Sequence, residues 1–182
     1  MNIYKYILGI LRVYPCLIIT APFFSYFITG QADLLLLSII LMLNDILNGY
    51  LKLYVFYPLM KDSHWPILGK GNRPDGARNC GLFLEENAKL STSYGMPSGH
   101  SQGAVFFSMY TILCILNSNM NIYIKILGII FFFSLAVAVM YSRVYLKCHT
   151  IQQVFMGGLI GAILGFYYYK NKETIYLMYN SV

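Results

Sequence analysis

Long apolar stretches alternate with short polar breaks along this chain, and the stretches are of membrane-crossing length. A span needs about 20 mostly apolar residues. Runs of that kind extend from about Tyr6 to Ile28, Leu34 to Met60, Ile122 to Tyr141 and Ile151 to Tyr169. A further run, Val105 to Leu116, is short by apolar count and becomes a full span if its helix starts near Ser98. The pattern therefore predicts an all-α fold, a polytopic transmembrane helical bundle of about five spans. The first run could be taken for a cleaved signal peptide, since Lys5 precedes it and Thr20-Ala21 is small. Its length, its tyrosines and the interior Pro15 and Pro22 argue for a retained span.

Two polar breaks stand out. Lys61 to Met96 is the one long extramembrane segment, and Ser142 to Thr150 is a short one carrying Arg143, Lys147 and His149. With antiparallel spans, both fall on the same side of the bilayer. The composition agrees: 58% of residues are hydrophobic and 11% charged, where a soluble domain carries roughly a quarter charged. An ordinary soluble globule is thereby excluded. The net charge of +6 raises the question of nucleic acid, but the Lys and Arg are sparse and form no basic block, so no nucleic-acid partner is expected. Cys16, Cys80, Cys114 and Cys148 show no close pairing and name no redox compartment.

The chemistry concentrates at the ends of the predicted spans. Pro97-Ser98-Gly99-His100 opens the third: Pro starts a helix, Ser caps it, and Gly lets the backbone approach an anion, so the free N–H groups aim at one spot suited to phosphate. Ser142-Arg143 closes the fourth span, His149 opens the fifth, and Gln153 follows one turn later. Arg143 and His149 could be interface anchors, yet ionisable groups near the bilayer are often functional, and these share a side with His100. Arg73-Pro74, with Lys70 just before it, adds a guanidinium fork matched to phosphate oxygens. Locally, each of these groups also has a structural reading.

Taken in order, Arg-Pro, Pro-Ser-Gly-His, and Ser-Arg with His149 to follow resemble the type-2 phosphatidic acid phosphatase and vanadium haloperoxidase superfamily, over roughly Asn48 to Gly165. The flanks, Tyr94 to Gln102 and Tyr141 to Thr150, look most like its dolichyl diphosphate phosphatases. The resemblance implies a single membrane phosphatase domain over 1–182 with an extramembrane loop at 61–96, acting on a membrane lipid phosphate or polyprenyl diphosphate. It implies His149 as nucleophile, His100 as the acid, and Gln153 as the group that orients His149. Arg73, Arg143, Ser98, Gly99 and a Lys would hold the phosphate. No metal or cofactor is implied; His100, His149 and Cys148 could be drawn as a zinc set, but their spacings match no familiar pattern.

Two departures from the family pattern matter. No Lys stands at the usual spacing before Arg73, which leaves Lys52 and Lys70 as candidates. Asn44, Asn48 and Lys52 recur every four residues as one polar stripe that should face the bundle interior, and this favours Lys52. Gln153 stands where most members carry Asp, as it also does in the dolichyl diphosphate and glucose-6-phosphate branches. A catalytically silent lipid-phosphate binder, a sugar phosphatase and a vanadate-holding protein remain open alternatives. Away from the motifs, Gly157, Gly161 and Gly165 form a small-residue stripe that reads as a packing surface. His64 beside Trp65 reads as an interface anchor, and Glu85 and Glu86 as a solvated face.

Overall fold

The computed structural model describes residues 3–61, 63–78, 80–82 and 89–180. Glu85 and Glu86 lie outside them. The elements are α1 (Ile3–Thr29), α2 (Ala32–Tyr50), a π-helical segment (Leu51–Phe56), α3 (Tyr57–Met60), β1 (His64–Trp65), β2 (Gly69–Lys70), α4 (Gly99–Leu116), α5 (Ile122–Tyr145) and α6 (Ile151–Asn180). Helix α1 runs unbroken through Pro15 and Pro22, as membrane helices can, because neighbouring groups re-satisfy the backbone that proline frees. Helix α2, the π segment and α3 follow one another without a break and form the second crossing.

The distribution of side chains is inverted relative to a soluble protein. Arg12, Arg143, Ser98, Gln102 and Gln153 are all at or below 1% exposure, while Ile28 is 85% and Leu127 68% exposed. That inversion is what a bilayer selects, since apolar side chains cost nothing in lipid and polar ones must be satisfied inside. Among the described residues, four helices are long and apolar enough to cross a membrane. The protein is an integral, multi-pass membrane protein. Helix α4 is the expected third crossing and falls short of the apolarity of the others for a physical reason: it packs against α1, α2, α5 and α6. Its polar first turns, Ser98 to Gln102, therefore face protein and not lipid.

Helices α4 and α6 lie parallel, backbone against backbone. A Cβ added at Gly157, Gly161 or Gly165 would press on the carbonyl oxygens of Ser98, Gln102 and Phe106 respectively. The small-residue stripe is thus a helix-packing surface, as expected. A buried cluster that includes Ile18, Leu41, Ala104, Phe106, Val139 and Tyr168 fills the space between the helices.

Two features depart from the sequence reading. A minimal antiparallel hairpin, pairing His64 with Lys70 and Trp65 with Gly69, folds inside the loop. His64 is exposed on it. Cys80 and Cys148, which show no close pairing along the sequence, form a disulfide across a sequence separation of 68. Distance along the chain hid a pair that the fold brings together.

The α4–α6 contact gives a direct test. Gly161→Ala should lower stability by about 1–3 kcal/mol through overpacking, because its new methyl group meets backbone. Gly158→Ala should cost little, because its nearest neighbour, at 3.1 Å, is the flexible Cε of Met140. Thermal unfolding in detergent separates the two, and equal losses would contradict the backbone contact.

Candidate active site

His149 sits in the short turn between α5 and α6, 3% exposed. Its Nδ1 lies 3.1 Å from Gln153 Oε1, one helical turn on. The amide cannot be turned round: Gln153 Nε2 donates to the carbonyls of Lys70, Gly71 and Asn72 at 3.0, 3.3 and 2.7 Å. Carbonyl oxygens only accept, so the nitrogen must face them and Oε1 must accept from His149. Nδ1 therefore carries the proton, and the lone pair is on Nε2. Burial, then the positive charges of Arg73, Lys52 and Arg143, lower the pKa of this imidazole far below its usual range, against a weaker opposing hydrogen bond to Gln153. The ring is neutral at physiological pH, the form a nucleophile needs.

Arg73 meets that lone pair. Its Nη1 lies 3.1 Å from His149 Nε2 and donates to the Cys148 carbonyl at 2.8 Å. Its Nε and Nη2 donate to Ser93 Oγ at 3.3 and 2.8 Å. Arg73 and Lys52 both line a cavity of about 710 Å³, whose other walls include Asn72, Leu53, Tyr57 and Leu90. The last three are more than half exposed, so apolar surface borders a cationic floor.

Arg143 is fully buried at the end of α5. Its Nη2 donates to the Cys80 carbonyl at 2.7 Å, while Nε and Nη1 are buried with no hydrogen-bond partner among the described residues. Leaving charged donors bare inside a protein costs more than the about 1–3 kcal/mol of a neutral group. An anion bound there would remove that cost. A phosphate oxyanion, with several acceptor oxygens, could take these two donors separately.

The Pro-Ser-Gly-His segment forms the third wall. Ser98 caps α4, its Oγ accepting from the Ser101 N–H at 3.5 Å and from Ser101 Oγ at 3.0 Å, and its backbone N–H donates to the Gln153 carbonyl at 3.0 Å. Gly99 and His100 are the first helical residues, whose N–H groups have no acceptor within the helix. His100 Nε2 lies 3.0 Å from the backbone carbonyl of Arg12. That carbonyl requires a proton on Nε2 and leaves Nδ1 as the nitrogen that titrates.

The structure thus brings together Lys52, Arg73, Arg143, His149 and Gln153, with Ser98, Gly99 and His100 adjoining. It does not bring in the Lys70 ammonium: that side chain is exposed on β2, and it is the Lys70 carbonyl that engages Gln153. Asn44 and Asn48 of the polar stripe face inward and are held by Gln102, which accepts from Asn48 Nδ2 at 2.8 Å and donates to Asn44 Oδ1 at 2.9 Å. The sequence reading passed over Arg12. It is 1% exposed and donates to the Gly81 carbonyl at 3.2 Å. A charged residue inside an apolar run was signal enough to single it out.

A family model described as the PAP2 superfamily matches residues 33–176, and the chain belongs to that family. Its relatives include dolichyldiphosphatase 1 of Dictyostelium discoideum, 48% identical over 90 residues that cover 48% of this chain and 39% of the relative. Lipid phosphate phosphatase gamma of Arabidopsis thaliana is 41% identical over 86 residues, covering 40% and 34%. Dolichyldiphosphatase of Saccharomyces cerevisiae is 37% identical over 86 residues, covering 46% and 36%. The aligned part thus spans less than half the length of each relative. No solved structure matches.

Oxyanion binding to the purified protein tests the assignment of cations. Lys52→Ala and Arg143→Lys should each weaken orthovanadate binding at least about tenfold, the loss of one charge-assisted hydrogen bond. Lys70→Ala should leave it within about twofold. Calorimetry or competition with a chromogenic phosphate ester reads the difference, and a larger loss at Lys70 than at Lys52 would reverse the assignment.

Proposed function

We propose that this protein is a membrane lipid phosphatase that hydrolyses a lipid phosphate or polyprenyl diphosphate through a phosphohistidine at His149. The observation that carries the reading is the fixed tautomer of His149, whose Nε2 lone pair lies 3.1 Å from Nη1 of Arg73, a residue that with Lys52 lines a cavity edged by exposed apolar side chains. The names of its relatives support the same reaction class.

In the first step the phosphate oxygens draw Arg73 off Nε2 and take its donors for themselves. His149 Nε2 then attacks phosphorus as the bond from phosphorus to the leaving oxygen breaks. Arg73, Arg143 and Lys52 face the equatorial oxygens, where charge concentrates in the transition state. His100 gives its Nδ1 proton to the leaving oxygen; the bound headgroup's negative charge favours the imidazolium form that can do so. In the second step His100 takes a proton from water, and the hydroxide formed attacks the phosphohistidine and releases phosphate. Throughout, Gln153 keeps the Nδ1 proton in place. Each step uses the chain's own residues.

The cavity favours a substrate whose tail stays in the bilayer, because Leu53, Tyr57 and Leu90 lead from the cations to exposed apolar surface. Purified protein in detergent, without added metal, should release phosphate from diacylglycerol phosphate or a polyprenyl diphosphate and far less from glucose 6-phosphate. His149→Ala should abolish release. If no substrate is hydrolysed, or if His149→Ala keeps full activity, the reading is wrong.

The pH dependence carries a further expectation. Because His149 is held below its usual pKa, the neutral fraction does not fall between pH 7 and 5, where an ordinary imidazole would lose about 25-fold. Phosphoenzyme formation in the unsubstituted protein should therefore show no loss of that size. Gln153→Glu sets a carboxylate against three carbonyls, so its rate should fall at least about tenfold at neutral pH and recover towards pH 5 as the carboxyl protonates and can donate. Rapid-quench measurement across the range checks both, and a flat, undiminished profile for Gln153→Glu would contradict the role of the amide.

A further inference from the structure

The Cys80–Cys148 disulfide joins the loop before α4 to the turn before α6, and both of its residues also hold an arginine of the site. The Cys148 carbonyl accepts from Arg73 Nη1 at 2.8 Å, and the next residue in the chain is His149. The Cys80 carbonyl accepts from Arg143 Nη2 at 2.7 Å. The adjacent Gly81 carbonyl accepts from Arg12 Nη2 at 3.2 Å. Cys148 is fully buried and Cys80 is 8% exposed, with their Cα atoms 5.4 Å apart. One covalent bond therefore fixes the spacing between the carbonyls that seat Arg73 and Arg143.

We propose that this disulfide is the positioning device of the phosphate site: the two arginines stand at phosphate-binding separation only while the bond is closed. The inference rests on the phosphatase reading and adds its regulation. A dithiol supplies two electrons and two protons, the S–S bond becomes two thiols, and the dithiol is oxidised to its own disulfide. Two thiol sulfurs cannot approach as closely as bonded ones, so the carbonyls separate and the guanidinium groups move with them. A displacement of about 1 Å at a reacting centre can cost on the order of 10² in rate. Disulfides persist in oxidising compartments and are rare in the cytosol, so the state of this bond can be read directly in cells.

Two measurements test the proposal. Cells quenched in acid and alkylated before lysis should yield a Cys80–Cys148 linked peptide, with Cys16 and Cys114 alkylated; alkylation of Cys80 and Cys148 would overturn it. Dithiothreitol should then lower kcat/KM of the purified protein, and its orthovanadate affinity, at least about tenfold, with helical content unchanged and reoxidation restoring both. The Cys80→Ser/Cys148→Ser variant should show the low values and ignore dithiothreitol, while Cys16→Ser/Cys114→Ser keeps normal activity and full sensitivity. Undiminished activity after verified reduction overturns the proposal, and so does a loss that follows the loss of helical content. If the oxidised protein hydrolyses no substrate, the phosphatase reading fails, and the peptide map and vanadate affinity still decide the role of the bond.

Discussion

Gln153 must donate to three carbonyls of one loop and accept from an imidazole on another, and a side-chain amide has a single orientation that meets both demands. Much of the site follows from that. The carbonyls of Lys70, Gly71 and Asn72 immediately precede Arg73, so the contact that fixes the tautomer of His149 also sets the guanidinium beside it. Gly95 must lack a side chain because an added Cβ would stand 2.6 Å from Gln153 Oε1. The same geometry suits an amide better than a carboxylate at this position. A carboxylate would present oxygen to oxygen against the loop and leave the carbonyls without a donor. Gln153 gives up some stabilisation of a cationic imidazole and makes a rigid joint between two loops.

The second constraint is the burial of positive charge. Lys52, Arg73, Arg143 and Arg12 converge on one end of a bundle whose exterior is apolar, and the Nε and Nη1 of Arg143 have no hydrogen-bond partner among the described residues. Such a cluster is unfavourable while empty and is relieved by an anion. The fold sustains it because the helices beneath are tied independently of the site, by the backbone contact of α4 with α6 and by the Gln102 network with Asn44 and Asn48.

The readable part of the sequence was the part with local periodicity or a contiguous motif. Apolar runs gave the crossings, the four-residue spacing of Asn44, Asn48 and Lys52 gave the inward stripe, and Pro97 to His100 gave the cap of α4. What stayed hidden was set by contacts between distant segments. The Cys80–Cys148 pair and the three carbonyls that hold Gln153 depend on how the loop 61–96 folds back over the turn at His149. No periodicity encodes that path. Arg12 was a different kind of miss, visible as a charge in an apolar run but detached from every motif.

The central claim is that Gln153 leaves His149 with its lone pair on Nε2, so that phosphorus is captured there and nowhere else. The chemical identity of the trapped phosphoenzyme tests it most directly. Protein quenched during turnover of a labelled lipid phosphate, digested under alkaline conditions and compared with the two phosphohistidine isomers, should carry the label on Nε2 of His149. Label on Nδ1, on His100, or on no histidine would contradict the account.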